Sequence, residues 1–196
     1  MNRRWLVGGI VAVLGIAAVL ALVVGGVVGR SIVPSPEPSP PDTVRFEDEL
    51  TDVAIAYPAS WAELGASDPS ARLLAAARDA SASLRVTVRR SGLEAVTPDT
   101  LPVVRPLAED VLRADDRIED LGPPEAVVLD GVPGYRYTYK VRDRDGKPAA
   151  HVRYFLFRDD SRLIQLIMQA SPASQLAALE PTFERIARTF EDTRAN

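Results

Sequence analysis

Tyr135-Arg136-Tyr137-Thr138-Tyr139-Lys140-Val141-Arg142 decides the fold class. Aromatic or apolar side chains alternate with polar ones over the whole stretch, the period of a strand with one buried face. Asp145-Gly146 then supplies a hairpin turn. His151 to Phe157 returns, Asp159-Asp160-Ser161 turns again, and Leu163 to Ala170 forms a third strand. Ser171-Pro172 opens a closing helix that runs to Phe190 and is interrupted or restarted at Pro181. Three adjacent strands and a closing helix predict an antiparallel sheet in an α+β domain.

Working back toward the amino terminus, Leu84, Val86 and Val88 alternate with Arg85, Thr87 and Arg89 as a half-buried strand. Val53-Ala54-Ile55-Ala56-Tyr57 is strand-like and ends at Pro58. Ala71 to Arg78 reads either as a short helix, from its alanines, or as a hairpin partner joined to the next strand through Asp79–Ser83. A helix is expected over Pro98 to Ala114, capped by Thr97 with Pro98 at its first position. Pro102 and Pro106 weaken its first turns, so the firm part is Leu107 to Ala114.

Ahead of the domain, Trp5 to Gly29 is twenty-five residues without a charged side chain. As a helix it would cover roughly 37 Å, enough for a hydrocarbon core of about 30 Å. A core helix normally keeps a polar stripe, and a cleaved signal peptide has an apolar region of only about 7–15 residues. Val19-Leu20-Ala21, a weak cleavage site, lies in the middle of the run. The segment is therefore expected to be an uncleaved signal anchor, a single transmembrane helix. Arg3 and Arg4 precede it and Arg30 follows alone, which predicts a cytoplasmic amino terminus and an extracytoplasmic domain at the plasma membrane. Ala17, Ala21, Gly25 and Gly29 recur every four residues along it, a small-residue stripe through which two copies could form a homodimer. The organisation expected is thus an anchor over 1–30, a proline-rich linker over 31–41, extended and semi-rigid, and a domain over 42–193.

The chain has 27 acidic and 23 basic residues, and all of the acidic ones lie beyond Arg30. An acidic domain argues against nucleic-acid binding. There is no cysteine, hence neither a lipidation site nor a disulfide, and the domain must rest on its own core. His151 is the single histidine, which removes Cys-His pairs and multi-histidine zinc sites. No Gly-x-Ser-x-Gly elbow and no phosphate-cradling glycine loop occur, and His151 reads as a structural or surface residue of an apolar strand. Glu109, Asp110, Asp115, Asp116, Glu119 and Asp120 are acidic neighbours without the spacing of a calcium loop, and read as a solvated helix end. No catalytic site, cofactor or metal is expected.

One surface pattern carries a binding hypothesis. If the tyrosine, leucine and valine faces of these strands point into the core, the opposite face presents Arg85, Thr87, Arg89, Arg136, Thr138, Lys140 and Arg142. Such a face would suit an anionic ligand, a lipid head group or wall polymer, because the guanidinium fork matches phosphate. Outward strand positions are also commonly charged to discourage edge pairing.

Phe46, the run Val53 to Trp61 ending in Tyr57-Pro58-Ala59-Ser60-Trp61, Leu84 to Val88, Gly131-Val132-Pro133-Gly134-Tyr135 and the closing Ile186-Ala187-Arg188-Thr189-Phe190 together resemble the PsbP-like superfamily. Within it they resemble the LpqN/LpqT-type extracytoplasmic lipoproteins of actinobacteria. The resemblance covers about residues 44–191. It implies a central antiparallel sheet flanked by helices, an α/β/α sandwich, in which helices on both faces would hide part of the basic surface. It also implies a binding or assembly module of the cell envelope, with a protein partner there, and not an enzyme. This chain departs from the lipoproteins in lacking the lipidated cysteine. Plant-type members bind metals, and no matching ligand set is found here. Two further readings stay open: a carrier or sensor of a small lipidic or anionic ligand held against the sheet, and an unrecognised hydrolase.

Overall fold

The computed structural model describes residues 42–65, 68–93, 95–142 and 146–195. The transmembrane span, its Ala17, Ala21, Gly25 and Gly29 stripe, the proline-rich linker and Asp145 of the expected hairpin turn lie outside the described residues. Among the described residues no helix is long and apolar enough to cross a membrane.

The chain opens with β1 (Thr43–Asp48) and β2 (Val53–Pro58), an antiparallel hairpin. Next come β3 (Trp61–Glu63), β4 (Ala71–Ala77) and β5 (Ala82–Arg90), then α1 (Leu101–Arg113). Short strands β6 (Ile118–Glu119) and β7 (Glu125–Leu129) precede the long meander β8 (Val132–Arg142), β9 (Pro148–Phe157) and β10 (Arg162–Ala170). A 3-10 turn over Ala173–Gln175 leads into α2 (Leu176–Arg188), and β11 (Glu191–Asp192) closes the fold. The main sheet runs β3-β4-β5-β10-β9-β8-β6, with β7 also on β8, and a second sheet runs β1-β2-β11. Every pairing is antiparallel, so the domain is sheet-dominated α+β.

The ambiguous Ala71–Arg78 segment is a strand, because it is the hairpin partner of β5, registered Ala76 to Ser83 and Leu73 to Val86. α1 starts at Leu101, three residues later than expected, with Thr97 in the preceding turn. That shift places Pro102 in the first turn, where its missing N–H would have had no partner anyway. α2 passes through Pro181 without a break, its apolar residues Phe183, Ile186 and Ala187 buried on the sheet. The unforeseen β7 joins β8 through Asp130-Gly131, both at positive φ, a two-residue hairpin. At Gly134 a Cβ would sit 2.2 Å from the Phe155 carbonyl oxygen, so the β8–β9 ladder closes only over glycine.

Cross-strand partners share a face, and the register therefore sorts the side chains. One face carries the rows Tyr135–Phe155–Gln165–Thr87, Tyr137–Arg153–Ile167–Arg85 and Tyr139–His151–Gln169–Ser83. α1 lays Leu101, Val104, Ala108 and Leu112 against Tyr135, Tyr137, Phe155 and Phe157 of this face. The other face carries Leu84, Val86, Val152, Tyr154, Leu166 and Met168, buried with α2 and the second sheet. Each face thus has its own core and its own helix. Both cores, both helices and all paired strands fall within 43–192, and Pro40–Asn196 is one compact unit with everything it needs to fold alone.

Candidate functional site

The register corrects the expected basic face. The tyrosines of β8 and the leucine and valines of β5 point to opposite sides of the sheet, so their polar neighbours do too. Arg85, Thr87 and Arg89 lie on the α1 face, while Arg136, Thr138 and Lys140 lie on the α2 face. Arg136 is largely covered there and ion-paired with Glu125 and with Glu180 of α2. Lys140 is bound to Asp120 at 2.6 Å. Arg142, at the end of β8, reaches the rim of the α1-side cleft and is held by Glu119 at 2.6 Å. No continuous face joins all of these residues.

α1 covers only part of its face. Beyond the helix, the sheet is open over a cleft of about 560 Å³. Its floor is the His151 and Arg153 rows, and its walls include Arg85, Arg89, Arg117 and Tyr139. Alternation puts these groups side by side: β5 contributes residues 85, 87 and 89, β9 residues 149, 151 and 153, and β10 residues 165, 167 and 169.

The cations in the cleft are not equally free. Arg89 is held by Asp68 at 3.0 Å and by Ser70, and Arg117 by Asp115 at 2.6 Å. Hydrogen bonds from Ser70 to Asp68, and from Arg117 to Asp115, hold these carboxyls below their usual range, so both are ionised. Among the described residues no carboxylate lies within ion-pair distance of Arg85 or Arg153. Arg153 Nη2 donates to Gln165 Oε1 at 2.6 Å and its guanidinium stacks on Phe155, while its Nε is buried with no hydrogen-bond partner. Five guanidinium groups therefore meet two carboxylates in one concave space, and two of the five, Arg85 and Arg153, have no carboxylate partner among the described residues.

His151 sits at the centre of this arrangement, its Nδ1 3.2 Å from the Tyr139 hydroxyl. Burial, then the Arg153, Arg85 and Arg117 charges, hold the imidazole down at about 4. It is neutral at neutral pH and a weak base, with no serine or carboxylate among its hydrogen-bond partners. Burial pushes the Tyr139 phenol up, with Arg153 pulling against it. Four of the six acidic neighbours weighed for calcium are neutralised by arginine or lysine: Glu109 by Arg105 and Arg113, Asp115 by Arg117, Glu119 by Arg142 and Asp120 by Lys140. Among the described residues no three metal-ligating side chains converge.

Sequence reasoning named Arg85, Arg89 and Arg142 but not Arg117, Arg153 or Tyr139. A signal for Arg153 was present: it is a charged residue between Val152 and Tyr154 in a strand otherwise apolar from Tyr154 to Phe157.

This architecture is the PsbP-like fold, of the kind found in LpqN-type proteins. The solution structure of cyanobacterial PsbP from Synechocystis sp. PCC 6803 matches with a TM-score of 0.59 at 16% identity, covering 82% of this chain and 98% of that one. LpqN of Mycobacterium tuberculosis, a protein involved in cell envelope biogenesis, matches with a TM-score of 0.57 at 13% identity, covering 78% of this chain and 91% of that one. No protein-family model and no curated protein matches the chain.

Proposed function

We propose that the domain is a binding module, not an enzyme, and that its site is the arginine-lined cleft on the α1 face, which takes a small ligand bearing a phosphate or carboxylate. The observation that carries this reading is the pair Arg85 and Arg153, two cations in a concavity without a carboxylate partner among the described residues. Holding like charges together around one concavity is costly, and an anion that accepts from exposed Arg85 and half-buried Arg153 relieves the cost. A non-catalytic role is supported by His151, too weak a base at neutral pH to activate a nucleophile.

The reading extends to location. An apolar run over 5–29 behind Arg3 and Arg4 supports a single-pass anchor with the domain on the extracytoplasmic side, and the shared fold with LpqN supports a role at the cell envelope. A protein partner in the envelope, or a second copy through the anchor, is compatible with the same arrangement.

Titration calorimetry of the Pro40–Asn196 domain with inorganic phosphate and with acetate tests the site. Saturable binding that falls about tenfold or more in Arg85→Gln and in Arg153→Gln supports it. Binding that is absent, or indifferent to both changes, removes it.

A further inference from the structure

The basic cleft is continuous with a second, apolar groove. Between α1 and the end of the sheet lies a groove of about 520 Å³ whose walls include Leu93, Leu107, Val111, Phe157 and Leu163. Leu107 and Val111 are each 46% exposed, on the flank of an amphipathic helix that buries Leu101, Val104, Ala108 and Leu112. Arg89, Arg153 and Gln165 line both spaces. Along β10 the same face changes character step by step: Leu163 lies in the groove, Gln165 at the junction, and Gln169 in the cleft beside His151. Arg153 marks the boundary, since its guanidinium stacks on Phe155 of the groove while its fork opens into the cleft.

Resting on the anion-binding reading, we infer that the ligand is an anionic amphiphile, its charged group on Arg85 and Arg153 and its alkyl chain laid along α1 over Leu107 and Val111. A purely polar anion leaves the adjoining apolar groove unexplained. A neutral apolar ligand leaves the two cations without a partner. Only a molecule with both parts matches the sequence of surfaces. Arg85 is exposed, whereas Arg153 and His151 are half-buried, and an anion that reaches Arg153 as well as Arg85 is a single molecule drawn into the concavity rather than the flat surface of a bilayer.

The test compares inorganic phosphate, decyl phosphate as monomer and decanol on the Pro40–Asn196 domain by titration calorimetry. Decyl phosphate is expected to bind at least tenfold more tightly than either of the others, and to lose roughly two- to fourfold in affinity per methylene removed, the range from partial to full burial. Arg153→Gln should weaken phosphate and decyl phosphate alike. The exposed double change Leu107→Asn with Val111→Asn should reduce decyl phosphate to the level of phosphate and leave phosphate itself unchanged. If phosphate binds through the arginines but the alkyl chain adds nothing, the amphiphile is wrong and the anion site stands. If neither phosphate nor decyl phosphate binds, both fall. If decanol equals decyl phosphate, or only vesicles containing phosphatidylglycerol bind, the single-molecule anionic amphiphile is overturned.

Discussion

The guanidinium of Arg153 lies over the ring of Phe155, 4.5 Å from its centroid, two positions along the same face of β9. The contact fixes the plane of the fork and keeps it from folding back into the cleft floor. Arg153→Lys keeps the charge but loses both the stacked plane and the bidentate geometry. Chemical denaturation should show a loss of about 1 kcal/mol, the scale of a cation–π contact. Calorimetry with phosphate should show about tenfold weaker binding, whereas a cleft that used Arg153 only as a point charge would bind unchanged.

His151 makes stability depend on pH in a definite direction. Its folded value of about 4 lies below the ordinary 6.5, so between those limits the unfolded chain binds a proton that the folded domain refuses. Its contribution is complete above pH 6.5 and is lost as pH falls toward 4, with a limit of about 3 kcal/mol. The groups facing it are Arg85 of β5, Tyr139 of β8, Arg153 of β9, Gln169 of β10, and Arg117 with Asp115 ahead of β6. Urea unfolding at pH 7.5 and pH 5 should show a smaller difference in His151→Gln than in the wild type. Equal differences would show that the imidazole is not held neutral.

A bound anion reverses part of that shift. A negative charge near the ring offsets the three arginines and raises the histidine value, and by reciprocity ligand affinity rises as pH falls through it. An NMR titration of the imidazole carbon protons with and without saturating phosphate should show the midpoint move upward. A midpoint unmoved by phosphate at saturation would place the bound anion elsewhere.

Arg158 is the structural counterpart of these ligand-facing arginines. Only 1% exposed, it donates to the Thr51 carbonyl at 2.8 Å and to Asp160 at 2.5 and 3.1 Å, with Asp192 at 3.5 Å. It ties the β1–β2 turn and the carboxy-terminal segment to the end of β9. Arg158→Leu leaves those acceptors without their donor and should cost about 3–5 kcal/mol in chemical denaturation. A loss under 1 kcal/mol would mean that water replaces the guanidinium freely.

Gly134→Ala tests the β8–β9 ladder from the other side. The added methyl meets the Phe155 carbonyl at 2.2 Å and the Leu156 side chain at 2.9 Å, both in the middle of the sheet. The strands can separate only by giving up ladder hydrogen bonds, and the change should cost about 3 kcal/mol or more on thermal or chemical unfolding. Gly65, with nothing near its missing Cβ, is the matched control and should tolerate alanine.

The strands were legible because alternation survives in Leu84–Val88 and Tyr135–Val141 whatever covers them, and turn residues bound the apolar run Leu163–Ala170. Proline placement was harder to read. Pro102 and Pro106 looked like breaks, yet a helix beginning at Leu101 absorbs the first in its opening turn, and the burial of Ala108 and Leu112 carries it past the second. The site was half legible for a different reason. Alternation groups the side chains of one strand into two sets but does not say which set of the next strand shares the face. With a helix on each side of the sheet, both sets are apolar somewhere, so Tyr137 of β8 and Val86 of β5 looked equivalent and point in opposite directions. Only the register places Arg85 in one row with Arg153 and separates it from Arg136.

Whether an anion is held between Arg85 and Arg153 is read residue by residue from amide-resolved NMR of the domain during a phosphate titration. Saturable shifts are expected at residues 83–89, 151–153 and 165–169, abolished together by Arg85→Gln. Shifts that never saturate, or that gather instead around Arg72, Arg90 and Arg162, would place no anion between the two arginines.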